Sequence, residues 1–196
     1  MSGHPYLLMT TAFLKTTFLI FLGSSGTLMA EETALTFDPA QTQVQFTLSD
    51  MLHTVKGTFK LTRGAIHYDF ATGKASGEIV IDARSGASGS GARDGRMNRN
   101  VLESDKYPEI VFVPDHVEGS LEKATVHGQF RIHGAEHEMT MVVSAGPLSN
   151  SSGSQIGIRT KFAVPYVKWG MKDPSTFILK VGDTVDIDIQ ATGRTQ

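Results

Sequence analysis

Along most of the chain apolar and polar side chains alternate one by one, the period of a strand with one face on a core and the other in water. Val44, Phe46 and Leu48 alternate with Gln43, Gln45 and Thr47. Val55, Gly57, Phe59 and Leu61 repeat the pattern against Thr54, Lys56, Thr58 and Lys60; Gly64, Ile66, Tyr68 and Phe70 carry it to a turn at Ala71-Thr72-Gly73-Lys74. Residues 75–82, 109–119, 124–133, 136–145, 156–164 and 185–190 read the same way, with a bend expected at Pro114, which lacks a ladder donor. Eight or nine short strands joined by turns predict an all-β antiparallel sandwich or closed barrel. Two features favour the barrel. Gly57, Gly64, Gly77 and Gly128 fall at inward positions, where glycine lets a sheet curl. The first and last strands both alternate strongly, as they should if they pair and remove the edges.

One stretch departs from this period. From Met97 the apolar positions fall at Met97, Val101 and Leu102, which suits one face of a short helix after the fourth strand. The glycine-serine run 84–91 before it is too poor in side chains to pack, and Tyr107-Pro108 returns the chain to an extended strand. A single helix among strands is suited to act as a lid or plug.

Composition narrows the classes. The 196 residues suit one domain, and a formal net charge of -2 gives no global field for nucleic acid or an acidic membrane surface. Lys15, the apolar run 16–22, the small residues that follow and Ala30 resemble a secretory signal over residues 1–30, leaving a domain at 31–196. A retained anchor is the other reading, but the run is shorter than the roughly 20 residues that span a bilayer. No cysteine is present, so no disulfide or lipidated cysteine is available and the exported domain must rest on its core.

Candidate binding residues follow from the inward set. Phe46, Phe59, Phe112, Phe130 and Phe162 sit at inward positions in separate strands, as pocket walls or as plain core. Trp169, with Tyr166 and Lys168 in an elaborate connection before the last strand, could guard a barrel mouth or plug it. Arg93, Arg96 and Arg99 cluster around the helix; Arg93 either meets an anionic head group or pairs internally, while Arg96 and Arg99 read as solvated. His127 and His133 share a strand face and His137 follows the next turn, so imidazoles could approach one another, yet no spacing fits a metal motif. A Gly-x-Ser-x-Gly elbow, a His-Glu-x-x-His helix and a cysteine nucleophile are all missing, which argues against an enzyme; no metal and no cofactor are expected.

Four blocks then carry a resemblance: residues 37–47; Val55-Lys56-Gly57-Thr58-Phe59; Arg93-Asp94 followed by Lys106-Tyr107-Pro108-Glu109-Ile110; and residues 128–134 together with Val181-Gly182-Asp183. In order and spacing they resemble the YceI-like family of lipocalin-like, polyisoprenoid-binding periplasmic proteins. The likeness implies an eight-stranded antiparallel barrel partly closed by a helix, with a long isoprenoid or other amphiphilic lipid in the bore, and allows a homodimer. An inner face rich in glycine agrees with an open bore. The rival expectation is a filled barrel that acts through its surface as an envelope or stress-related interaction protein.

Overall fold

The computed structural model describes residues 32–49, 53–148, 155–177 and 180–196; the expected signal segment lies outside the described residues. Its strands are β1 (Thr33–Phe37), β2 (Gln43–Ser49), β3 (Thr54–Asp69), β4 (Lys74–Ala87), β5 (Glu109–Ser120), β6 (Lys123–Ile132), β7 (Ala135–Pro147), β8 (Gln155–Val164) and β9 (Val185–Thr195). Between β4 and β5 lie the helix α1 (Gly91–Arg96) and a π-helical turn (Met97–Val101). β1 and β2 both pair with β3 and β9, so they are two pieces of one stave, interrupted where Asp38 caps the short helical turn Pro39–Gln41 through Ala40 N–H at 2.9 Å. Every neighbouring pair is antiparallel, and β9 returns to the first stave to close an eight-stave barrel.

Sequence and fold agree on which residues face inward and differ over segment ends. β3 is one continuous strand where the pattern suggested two, because register shifts after Thr58 and after Leu61 let a 16-residue strand bend without breaking. β1 is only five residues long, so the alternation of its buried Leu35 and Phe37 across Thr36 is a short signal. The run expected to be too poor to pack ends β4 as far as Ala87, and Gly86 is buried because a Cβ there would strike the Met97 methyl and the Phe59 ring. Helical structure therefore starts at Gly91, six residues before Met97.

Two local devices shape the wall. The β6–β7 hairpin turns on His133 and Gly134, with φ of 52° and 76°, the pair of left-handed residues that a two-residue turn matched to strand twist requires. On the outer face Val80 and Val111, register partners on β4 and β5, are buried although they point away from the bore. Arg63 on β3 reaches over them: its Nε donates to Glu78 at 2.9 Å and its Nη1 to Glu109 on β5 at 3.0 Å, so one guanidinium spans three staves. Its long stem covers apolar surface while the charge stays wet.

One seam is incomplete. β7 and β8 pair only from Val143 to Pro147 against Ile156 to Thr160. Beyond that, residues 135–142 pair only with β6 and residues 161–164 only with β9, so the two staves diverge toward one end. Thr160 marks the fork, its hydroxyl donating to the Val142 carbonyl at 2.9 Å.

Candidate functional site

The alternation that builds the staves leaves their apolar side chains around a hollow rather than a packed centre. A cavity of about 580 Å³ runs through the barrel, walled by residues from every stave. That volume falls within the roughly 300–1,000 Å³ of small-molecule sites. The bore is therefore not filled by its own side chains. Phe46, Phe59, Phe112, Phe130 and Phe162 all reach the cavity wall. Phe46 and Phe59 meet at 5.3 Å between ring centres, and Phe130 meets Phe162 edge-on at 6.1 Å. Glycine makes room for the first pair, since a Cβ at Gly57 would collide with the Phe46 ring and the Ala87 carbonyl. The helical insert contributes the face its spacing suggested, Met97, Val101 and Leu102, and Phe37 and Tyr68 complete the aromatic lining. Phe37 was missed with the strand that carries it, and its alternation with Leu35 across Thr36 was the available signal.

Polar groups gather at the helical end, where Ser88, Ser90, Arg93 and Arg96 border the cavity. Arg93 is held internally: Nε donates to Ser88 Oγ at 2.7 Å and Nη2 to the Ser88 carbonyl at 3.0 Å, while the Ser88 hydroxyl and N–H both bond Asp94. Arg96 adds to the sequence reading. Read from the sequence as solvated, it is exposed and in addition borders the cavity, and among the described residues it has no acidic partner. Strand-like alternation gives no information about helical residues, so only the turn geometry could reveal it.

The connection from β8 to β9 plugs the same end. Trp169 does not border the cavity; it stacks flat on His137 at 4.1 Å and leans on Phe130 at 5.7 Å, sealing the wall from behind. Burial holds the His137 imidazole below its ordinary pKa, and its Nε2 is buried with no partner among the described residues. The three histidines that the sequence suggested could converge part company instead. His133 bonds Glu103 at 2.6 Å, and His127 accepts or donates to Thr140 at 2.9 Å on the outer face.

Tyr166 lines the cavity and anchors this connection through its hydroxyl, which donates to the Gly182 carbonyl at 2.7 Å. Burial, aided by Asp173 and Asp183, pushes its phenol up to about 12. The folded state thus keeps this proton after the unfolded chain begins to lose it near pH 10, so Tyr166 lowers stability as pH rises from 10 toward 12 and has no such effect below 10. Tyr166→Phe is expected to cost about 1 kcal/mol at pH 7 through the unpaired carbonyl. The gap between wild type and variant should narrow at pH 11, as read from urea midpoints at the two pH values; a gap that widens would contradict the buried phenol.

Among the described residues, no helix is long and apolar enough to cross a membrane. The model of the YceI-like domain matches residues 35–193. No curated protein matches the chain. Solved structures resemble the fold. BcnA of Burkholderia cenocepacia aligns with a TM-score of 0.66 at 18% identity, covering 80% of this chain and 98% of that one. A polyisoprenoid binding domain from Saccharophagus degradans, implicated in plant cell wall breakdown, aligns at 0.63 and 17% identity, covering 83% and 98%. The YCEI protein of Campylobacter jejuni aligns at 0.61 and 20% identity, covering 72% and 85%.

Proposed function

This chain belongs to the YceI-like domain family, and from that premise we propose that it holds a long apolar ligand, a polyisoprenoid, isoprenoid quinone or related amphiphile, inside its barrel for storage or transport across the periplasm after export. The observation that carries the reading is the hollow bore with its apolar wall. Burial at about 25 cal/mol per Å² lets an alkyl or prenyl chain bind such a tube without a specific polar contact along its length. The Saccharophagus domain, described as polyisoprenoid-binding, supports the ligand class. The charged residues that border the cavity, Arg93 and Arg96, lie at the helical end, so an amphiphile enters tail inward with its head near Arg96, while Arg93 stays with Ser88. The phenylalanines and Tyr166 act as walls, Trp169 braces the mouth, and binding rather than catalysis is the role. Export rests on the signal-like residues 1–30.

Solvent extraction of protein purified from its own host, followed by mass spectrometry, tests the proposal. One dominant prenyl or quinone-like species near equimolar amount is expected. Only trace bulk phospholipid, together with no saturable binding of an apolar fluorescent dye, would overturn it.

A further inference from the structure

Over residues 135–142 β7 has no ladder partner on β8, and aromatic rings gather at this open stretch of the seam instead. His137 is the register partner of Phe130 on β6, so the two share the inner face. Trp169 stands just past the end of β8 on a tight turn, in which its N–H donates to the Pro165 carbonyl at 3.1 Å and Gly170 N–H to the Val167 carbonyl at 3.0 Å. Its indole lies on the His137 ring within 5° of parallel and also touches Phe130, which Phe162 of β8 meets from the other side. Phe130 and Phe162 border the bore while His137 and Trp169 do not, so the stacked pair backs the two phenylalanines where the staves are unzipped.

This stack suits one protonation state only. His137 Nε2 is sealed from water with no hydrogen-bond partner among the described residues. The charges of the neighbouring elements are turned away or engaged elsewhere. On β7, Glu136 and Glu138 are exposed on the opposite face, and Glu136 lies 3.5 Å from Arg131 of β6. At the β6–β7 turn His133 holds Glu103, and on β8 Lys161 holds Asp188 at 2.6 Å. In the connection that carries Trp169, Lys168 and Lys172 are exposed, Asp173 accepts from Ser175 N–H and Asp183 from the Thr184 hydroxyl. None of these groups bonds the His137 ring, and burial is the only influence on its pKa, which it lowers. An indole face favours a cation, yet an imidazolium here would hold a charged N–H against no acceptor, which costs more. The neutral ring therefore stays in the stack and the charged ring is driven toward water.

We propose that His137 and Trp169 form a latch on the open stretch of the β7–β8 seam, shut while the imidazole is neutral and released when it is protonated, so that the bore exchanges its contents there faster in acid. The inference rests on the carrier reading for what is exchanged, not for the latch itself.

Trp169 is the only tryptophan of the chain, so its emission reports the stack directly. Between about pH 7.5 and about pH 5, emission of the dye-free protein is expected to shift to the red as the indole meets water. Over the same range, release of a bound apolar dye to excess cyclodextrin should become about fivefold faster or more, with a midpoint below the ordinary imidazole value and an unchanged far-UV circular dichroism spectrum. His137→Phe keeps a ring on the indole without a titratable nitrogen, and its release should be slow and equal at both pH values. Trp169→Ala removes the latch and should release at the fast rate at both. A wild-type release rate or Trp169 emission that ignores pH overturns the proposal. So does an acceleration that survives in His137→Phe, by assigning the effect to another group such as His133 with Glu103, and so does loss of the strand signal over this range, by assigning release to unfolding. Should His137→Phe fail to fold, the titration of Trp169 emission in the wild type decides. If the dye binds saturably but leaves at one rate, the latch fails and the carrier reading stands; if the emission titrates and no dye binds, the reverse holds.

Discussion

Tryptophans at both Val126 and Ile189 are expected to abolish saturable uptake of an apolar dye by this barrel. Both side chains line the cavity, and both are only half-buried although they point inward, an exposure that comes from the hollow itself. They stand on β6 and β9, three staves apart, so two indoles would approach each other across the bore. In a tightly packed core such enlargement costs about 1–3 kcal/mol. Here the rings have space to occupy, so a folded protein with a normal thermal transition is expected, with dye affinity reduced at least about a hundredfold from the two lost walls together. Each single variant should show an intermediate loss. A folded double variant that binds the dye as tightly as wild type would place the dye outside the barrel and remove the physical basis of the carrier proposal.

The largest expected loss of stability belongs to Gly77→Ala. Gly77 has φ of 102°, a region that side chains avoid, and a Cβ there would strike the Ala65 carbonyl of the partner strand and come within 2.9 Å of Ile66 Cα. Both obstacles are backbone and cannot swing aside. They arise because Gly77 pairs with Ile66 on β3 just where the ladder to β5 loses register between Lys74 and Ile79. A loss of about 2–4 kcal/mol is expected in urea unfolding. Gly91→Ala, where a Cβ meets nothing within 4 Å at the start of α1, serves as the control and should be neutral or stabilising by at most about 1 kcal/mol. Equal effects at the two sites would contradict the close approach of β4 to β3.

Much of the barrel could be read from the sequence because an inward residue must be apolar and its neighbours need not be. That rule placed Phe46, Phe59, Phe112, Phe130 and Phe162 at inward positions, leaving wall or core open, and the pairing of the first alternating strand with the last followed from the need to bury both edges. Alternation is blind to anything that depends on a distant partner. The stack of Trp169 on His137 joins positions 32 residues apart by a loop with no period, so Trp169 could only be assigned to the mouth, as wall or plug. Glycine was read at Gly77 as inward relief; its actual role is a backbone contact on a half-turned strand, which composition alone cannot separate from the first. Arg96 and Arg93 share a helix and a charge, and only the hydrogen bonds of Ser88 decide which guanidinium is committed.

The fork at Thr160 gives the tube a circumference that need not be fixed. Where β7 and β8 part, widening the wall breaks no ladder bond between them. On the carrier reading proposed above, a bulky or methyl-branched chain is taken in by spreading this one slit, and its girth is limited there by how far the Trp169 stack on His137 gives way.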